Sequence, residues 1–259
     1  MSTAATAHRP PSDWHAFTEA PRAVFEFASF LALRPMLSFL PRGDGHPVLV
    51  LPGFLASDTS TFPLRNLLIG LGYDAVGWDL GRNVQITETR VKAMGACLNA
   101  LHKRAGRKVS IVGWSLGGLL ARELAKMHPN AVRQVISLGS PLTGDRNISK
   151  VGRIFEALNG PVPEVQRRGR FIDLDTPPPM PSTSIFTKTD GVVHWRGSLQ
   201  PEGAERENVE VIASHIGLGV NPTVMWVIAD RLAQTEGEWT AFEAKGFASW
   251  AFPTKQALH

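Results

Sequence analysis

Short apolar runs alternate with stretches of helical periodicity along most of the chain. Six runs have the length and the β-branched content of buried strands: 47–51, 74–78, 109–112, 134–138, 183–187 and 208–213. Apolar positions recur at helical spacing over 62–71, 87–105, 116–128 and 222–234. Buried strands that alternate with helices are typical of a parallel sheet covered on both faces. The pattern predicts a doubly wound α/β fold with a mostly parallel sheet of about six strands.

Capping residues mark the ends of two of these helices. Thr87 is suited to be the N-cap of the 87–105 helix, and Gly106 follows its last residue. Asn221 and Pro222 are suited to the N-cap and the first position of the last helix.

The first 46 residues do not follow this alternation. The first twenty or so are rich in Ala, Ser, Thr and Pro, which predicts a loose arm, and 22–40 predicts a helix that Pro35 breaks. This helix is apolar all round, so it should be buried or should lie against a partner or a membrane surface. We favour burial against the domain, with a weak membrane or lipid contact through 22–40 as the alternative.

The interval between the fourth and fifth predicted strands, residues 139–182, is longer than a connection needs. It carries six prolines, at 161, 163, 177, 178, 179 and 181, and one helical stretch at 148–158. Long insertions of this kind are usually functional or disordered. We predict a cap over the carboxyl ends of the strands, inserted in one domain that spans residues 1–259.

Composition excludes several classes of protein. The 43 % apolar and 19 % charged content of the 259 residues is that of a globular chain. The net charge of +4 comes with no basic cluster interleaved with aromatic residues, so no nucleic-acid partner is expected. The single cysteine, Cys97, excludes an intrachain disulfide. No uninterrupted apolar window reaches about 18 residues and no signal peptide is evident, so we expect a cytoplasmic protein.

The strongest chemical signal is Gly113-Trp114-Ser115-Leu116-Gly117, a G-x-S-x-G sequence. It lies directly between a predicted strand and a predicted helix, which is the context that a nucleophilic serine on a strand-to-helix turn requires. The turn would lift the Ser115 hydroxyl above the sheet and place it at a helix N-terminus, where negative charge is stabilised.

A serine needs a base, which in this arrangement follows an acid along the chain. His215 comes after the last predicted strand in a glycine-rich loop, which favours it over His194 and the six other histidines. Asp190 lies on the turn after the penultimate strand, whereas other aspartates lie within the insertion (Asp173, Asp175) or one strand earlier (Asp145). Ser115, Asp190 and His215 are therefore the candidate catalytic residues.

The loop after the first strand, Leu51-Pro52-Gly53-Phe54-Leu55, is expected to complete the site. Its Phe54 N–H would join the Leu116 N–H in an oxyanion hole. Phe54 and Leu55 would line an acyl pocket together with Trp114 and Trp195, and these apolar residues favour uncharged acyl groups.

In these motifs the chain resembles a serine esterase or lipase of the α/β-hydrolase superfamily. The resemblance rests on five segments over about 170 residues: 51–54, 113–118, 138–144, 189–193 and 214–222. It implies the α/β-hydrolase fold and adds Leu142, in the turn after the fourth strand, to the pocket. It also implies hydrolysis of a small-molecule ester through an acyl-enzyme, with no metal or organic cofactor. An acyltransferase, thioesterase or amidase with the same triad is the main alternative, and a non-catalytic binding module is a remote one.

Overall fold

A six-stranded parallel sheet forms the centre of the structure, a computed structural model that describes residues 10–143 and 149–253, without the side chains of 246–248. The strands are β1 (Pro47–Leu51), β2 (Asp74–Gly77), β3 (Val109–Trp114), β4 (Val132–Leu138), β5 (Ser182–Phe186) and β6 (Arg206–Glu210). They lie in the order β2-β1-β3-β4-β5-β6, and every neighbouring pair is parallel. The predicted sheet is confirmed.

The helices are α1 (Asp13–Leu37), α2 (Asp58–Gly70), α3 (Glu88–Ala105), α4 (Leu116–Met127), α5 (Gly152–Asn159), α6 (Glu164–Arg167) and α7 (Pro222–Ala233). Two 3-10 turns follow, at Trp195–Ser198 and Gly246–Ala251. The capping predictions are confirmed, because the Thr87 side chain accepts from Arg90 N and that of Asn221 from Thr223 N and Val224 N. Gly106 ends α3 in the left-handed conformation, at φ 63°.

Alternate residues of the central strands build two cores, since successive side chains of a strand point to opposite faces. Val48 and Val50 pack with apolar side chains of α1, α2 and α7. Leu49 and Leu51 pack on the other face with α3 and α4. Helices therefore cover both faces of the sheet, as predicted.

The N-terminal helix is longer than predicted, and the residues that it turns toward the domain differ from those predicted. It begins at Asp13, capped by the Ser12 side chain, and continues through Pro21 and Pro35 to Leu37. Pro35 cannot bond to the Leu31 carbonyl, but only two helical residues follow it, so little of the helix could be displaced. Residues 1–9 of the predicted arm lie outside the described residues.

We predicted that the apolar residues of this helix are buried against the domain. For most of them the prediction is wrong. Phe30 and Leu37 are buried, whereas Val24, Phe25 and Met36 are 71 %, 73 % and 68 % exposed. The residues that face the domain include two glutamates, Glu19 and Glu26. Their carboxylates bond to loops at the carboxyl edge of the sheet, and such long-range bonds cannot be inferred from periodicity.

The last strand ends three residues earlier than predicted, at Glu210. The Val211 N–H still bonds to the Phe186 carbonyl, but Ala213 bonds through both its N–H and its carbonyl to the Thr187 hydroxyl. Side-chain bonds thus replace the strand ladder and bend the chain away toward His215.

Residues between β4 and β5, which we call the cap segment (139–182, described without 144–148), carry α5 and α6. The predicted 148–158 helix is observed as α5, Gly152–Asn159, and residue 148 lies outside the described residues. Of the helices in the described chain, none is both long and apolar enough to cross a membrane.

Candidate active site

Ser115 lies on the turn between β3 and α4, with φ 54° and ψ −121°. A positive φ is unfavourable for a residue with a side chain and is held here by close packing of strand and helix. A Cβ on Gly113 would overlap the Gly117 carbonyl, and one on Gly117 would lie 2.7 Å from the Pro52 carbonyl oxygen. The two glycines of the motif therefore allow the approach that presents the serine hydroxyl.

His215 is buried beside Ser115. The distance between its Nε2 and Ser115 Oγ is 3.0 Å. The indole Nε1 of Trp114 donates to the His215 carbonyl at 3.0 Å, so the residue before the serine also holds the backbone of the histidine. Base and hydroxyl are within reach of proton transfer.

Asp190 lies on the other side of the imidazole. Its Oδ2 is 2.7 Å from His215 Nδ1, and its Oδ1 accepts the N–H groups of Val192 and Val193 at 2.8 and 2.7 Å. An ionised carboxylate only accepts hydrogen bonds, so Nδ1 carries the proton and Nε2 is left to accept from Ser115. The structure thus brings together the three residues that the sequence singled out.

The charges around His215 favour its protonated form. Burial by itself lowers the pKa of an imidazole, but the charge and hydrogen bond of Asp190, together with the charge of Glu19, raise the pKa of His215 above its ordinary value. A base with a raised pKa binds the serine proton more strongly as the hydroxyl attacks.

The two predicted oxyanion donors, Phe54 and Leu116, line one cavity together with Ser115. The loop that carries Phe54 packs closely on the nucleophile, because a Cβ on Gly53 would lie 3.4 Å from Ser115 Cβ. Within the described parts of the chain, neither amide N–H donates to another residue. Both are thus available to an oxygen bound above Ser115.

The cavity above Ser115 has a volume of about 130 Å³, and most of its wall comes from the cap segment. Apolar side chains dominate the lining: Phe54, Ile86, Leu116, Leu119, Val151, Phe155, Val165, Phe171, Leu174 and Val193. Two longer polar side chains, Glu156 and Gln166, also reach it. This wall suits an uncharged, largely apolar group.

The predicted pocket residues Leu55, Trp114, Leu142 and Trp195 are not among the described residues that line this cavity. Leu55 has a positive φ of 63°, and its side chain is 44 % exposed. Trp114 bonds to the His215 carbonyl, and Trp195 stacks on Phe186 with ring centroids 5.9 Å apart. Leu142 is buried and donates its N–H to the Gly197 carbonyl. These residues lie beside the motifs in the sequence, which indicated that they are near the site. The sequence did not indicate in which direction their side chains point.

Sequence reasoning missed the wall residues of the cap segment. Val151 and Phe155 stand one helical turn apart, and that spacing was the available signal. It also missed Glu19, Arg22 and Glu26, which bond to the loops of Asp190 and His215. No group of three or more His, Cys, Asp or Glu side chains in the described residues has the geometry of a metal site.

Comparisons with known proteins are consistent with this geometry. Residues 79–174 match a family model described as palmitoyl protein thioesterase, a segment that contains Ser115 and most of the cap segment. No curated protein sequence matches the chain.

Several solved structures share the fold. Lipase B of Aspergillus fumigatus is 15 % identical with a TM-score of 0.58, over 75 % of this chain and 53 % of that one, so the chain spans about half of its length. Lipase BlEst2 of Bacillus licheniformis is 16 % identical with a TM-score of 0.54, over 75 % and 94 %. The monoacylglycerol lipase of Paleococcus ferrophilus is 14 % identical with a TM-score of 0.52, over 74 % and 96 %. The chain has the α/β-hydrolase fold, as the sequence predicted.

Proposed function

We propose that this protein is a serine hydrolase that cleaves carboxylic esters through an acyl-enzyme on Ser115. The observation that carries the proposal is the buried chain of short contacts from Ser115 Oγ through His215 to Asp190, at 3.0 and 2.7 Å. The lipases that share the fold and the match to a thioesterase family model support an acyl-transfer reaction.

In the first step Ser115 Oγ attacks the ester carbonyl carbon while His215 Nε2 takes the hydroxyl proton. The carbonyl oxygen becomes negatively charged and accepts the N–H groups of Phe54 and Leu116. Collapse of this intermediate breaks the ester bond, and His215 gives its proton to the departing alcohol. Asp190 keeps the imidazole in the productive tautomer and stabilises its charged form.

In the second step water repeats the attack on the acyl-enzyme. His215 takes one proton from the water, and the water oxygen bonds to the acyl carbon. The bond between the acyl carbon and Ser115 Oγ then breaks. His215 then returns the proton to Ser115, which releases the carboxylic acid and restores the enzyme. The two steps need no metal or organic cofactor.

The apolar wall supplied by Phe155, Val165 and Phe171 favours an uncharged acyl group. We expect a series of p-nitrophenyl esters to show higher kcat/KM for aliphatic acyl groups than for acyl groups of the same length that end in a carboxylate. The Phe155→Ala variant should change the preferred chain length. Higher kcat/KM for the charged acyl groups would contradict this substrate class.

The direct test is labelling with a fluorophosphonate probe combined with ester hydrolysis. We expect the wild-type protein to be labelled at Ser115 and to hydrolyse p-nitrophenyl esters, and the Ser115→Ala variant to do neither. A folded wild-type protein without labelling and hydrolysis would overturn the proposal and support a non-catalytic binding module.

A thioesterase is the second candidate, because the family model described as palmitoyl protein thioesterase covers the Ser115 motif and most of the cap segment. The same triad would attack a thioester, whose leaving group is a thiol. Esters and thioesters of one acyl group should be compared by kcat/KM, with the matching anilide to test amidase activity. Product analysis with an added alcohol would detect an acyltransferase.

A further inference from the structure

Helix α1 lies across the two loops that carry Asp190 and His215. Both loops have a glycine where the helix passes. A Cβ on Gly191 would lie 2.5 Å from the His15 carbonyl, and a Cβ on Gly217 would overlap the Glu26 carboxylate. The loops and the helix are thus packed without room for another side chain.

One carboxylate of α1 joins the two loops. Glu19 Oε1 accepts the Gly191 N–H at 2.8 Å and the His215 N–H at 3.1 Å, and Oε2 accepts the Ile216 N–H at 2.9 Å. The Glu19 residue is 3 % exposed. The backbone next to the acid and the backbone of the base are therefore bound to the same side chain.

Two neighbouring side chains of α1 strengthen this connection. Arg22 donates to Glu19 Oε1 at 3.0 Å and to the carbonyls of Thr189 and Ala213 at 2.9 and 3.2 Å. Glu26 accepts the Ser214 N–H and hydroxyl at 2.6 and 2.8 Å. Buried carboxylates are costly unless they are paired or hydrogen-bonded. Glu19 is paired with Arg22, and Glu26 is hydrogen-bonded to Ser214, although burial still raises the pKa of Glu26.

We propose that Glu19 is a positioning residue of the reaction, which fixes the distance between Asp190 and His215 by binding the backbone of both loops. This inference rests on the proposed function. The hydrogen bonds of Glu19 go to Arg22 and to the backbone of Gly191, His215 and Ile216, so its effect on Ser115 would pass through the alignment of the imidazole. A misplacement of about 1 Å in such a site costs on the order of 10²-fold in rate.

Glu19 also acts on His215 through its charge. Asp190, from the loop after β5, and Glu19, from α1, raise the pKa of the imidazole against the effect of burial. Two further charged groups of α1, Arg22 and Glu26, bond to the residues directly before His215. Removing the charge of Glu19 lowers that pKa. Since the base must be neutral to accept the serine proton, the acidic limb of the kcat/KM profile would move to lower pH.

The test compares Glu19→Gln with Glu236→Gln, the same substitution at an exposed carboxylate that pairs with Lys108. Glutamine keeps the size of the side chain but turns an amide N–H₂ toward backbone donors. We expect Glu19→Gln to lower kcat on the order of 10²-fold with KM little changed, and to shift the acidic limb downward. Glu236→Gln should keep the wild-type kcat and profile.

Rates are normalised to the fraction of Ser115 that a fluorophosphonate labels, and thermal melting checks the fold. If Glu19→Gln does not fold, Glu19→Asp takes its place, because it keeps the charge while shortening the reach. Its kcat should fall with the acidic limb unmoved. Wild-type kcat in a folded Glu19→Gln or Glu19→Asp would overturn the inference, whereas an inactive and unlabelled wild-type protein would overturn the proposed function instead.

The outer face of α1 is a separate feature. At 100° per residue, six apolar side chains fall within an arc of about 140°, and the one charged residue on this arc, Asp13, lies at its edge in the first turn. They are Trp14, Phe17, Val24, Phe25, Leu31 and Met36, each at least half exposed. The 25-residue helix is about 37 Å long, so this face is a continuous apolar strip.

The exposed carboxylates at the two ends of this region, Asp13 and Asp44, are paired, the first with Lys150 and the second with Arg107 and Arg133. Glu19 and Glu26 are turned inward, so among the described residues 13–44 the exposed charged side chains without an ion pair are Arg34 and Arg42. An apolar strip with aromatic residues, flanked by cations, is complementary to the surface of a membrane that contains anionic lipids. A partner protein with an acidic surface would be complementary to Arg34 and Arg42 but would offer no apolar surface to cover the strip.

We infer that the outer face of α1 binds the surface of an anionic phospholipid membrane. The Lys150–Asp13 pair and the contact of Ser149 with Val193 place the start of α1 at the rim of the cavity. Binding there would bring that rim close to lipid.

Co-sedimentation with vesicles tests this inference without any need for catalysis. The protein should bind vesicles of phosphatidylcholine and phosphatidylglycerol more than vesicles of phosphatidylcholine alone, and Phe25→Glu should abolish binding. The matched control is Ile69→Glu, an exposed apolar residue on α2, which should bind like the wild type. Wild-type protein that stays in solution with both vesicles, or a dimer in light scattering that Phe25→Glu dissociates, would overturn the inference.

Discussion

Ser115 and the Asp190–His215 pair are held in place by contacts of very different range. The conformation of Ser115 depends on Gly113 and Gly117, two residues away on either side, and on the end of β1. The Asp190 and His215 loops are bound by α1, whose Glu19 lies 172 residues from Gly191 and 196 from His215. The nucleophile is thus set by local geometry, and its acid and base are set by a distant helix.

The largest expected effect concerns the reacting groups themselves. Ser115→Ala and His215→Ala should each lower kcat by about 10⁶-fold, because the nucleophile and its base act as one unit. His194→Ala, the histidine that competes with His215 in sequence, should hydrolyse p-nitrophenyl esters at the wild-type rate. Appreciable activity in Ser115→Ala or His215→Ala would contradict the assignment of Ser115 as the nucleophile and His215 as its base.

The next effect separates the acid from the nucleophile. Asp190→Asn should lower kcat by about 10⁴-fold, because an amide favours the wrong histidine tautomer while leaving the geometry intact. Fluorophosphonate labelling should slow in parallel. Asp175→Asn, in the cap segment, is the control, and a larger loss there than at position 190 would show that the wrong acid is assigned.

A stability measurement tests whether close packing around Gly117 holds the turn that carries Ser115. Gly117→Ala places a Cβ 2.7 Å from the Pro52 carbonyl oxygen and should lower the free energy of unfolding by about 1–3 kcal/mol. Gly70→Ala, at the end of α2 with nothing within 4 Å, should not lower it. Equal urea midpoints for the two variants would mean that the turn around Ser115 is not tightly packed.

The smallest effect concerns the contact that links the two regions. Trp114→Phe removes the indole donor to the His215 carbonyl and should cost about 1 kcal/mol, or roughly fivefold in kcat/KM if the loss falls on the transition state. Trp78→Phe removes a similar bond, to the Gly81 carbonyl, and should lower stability without lowering kcat/KM. If Trp78→Phe lowered kcat/KM and Trp114→Phe did not, the bond from Trp114 to the His215 carbonyl would have no role in the reaction.

The features that the sequence predicts well are those with a local physical cause. Gly106 follows a helix because a left-handed residue ends it, and Asn221 begins one because its side chain accepts free N–H groups. The six strands follow from their buried, β-branched runs. The G-x-S-x-G motif indicates Ser115 because strand, turn and helix are adjacent in the chain.

The features that the sequence misses depend on packing between distant segments. Leu55 and Leu142 are near the site in sequence, yet the side chain of the first is exposed and the second is buried beside Gly197. Phe155, Val165 and Phe171 form the wall because the cap segment folds back over the sheet. Helix α1 has its apolar strip exposed and its glutamates buried, against the expectation from hydropathy alone.

The sequence by itself determined the parallel sheet, the capped helices and the identity of the three residues that meet at its edge. Each follows from periodicity, capping chemistry or strand order, which a chain encodes locally. Only the tertiary structure decided which side chains line the cavity and which residues bind the loops of Asp190 and His215. Those choices depend on the direction of side chains and on backbone donors that meet across nearly 200 residues, where spacing along the chain carries no information.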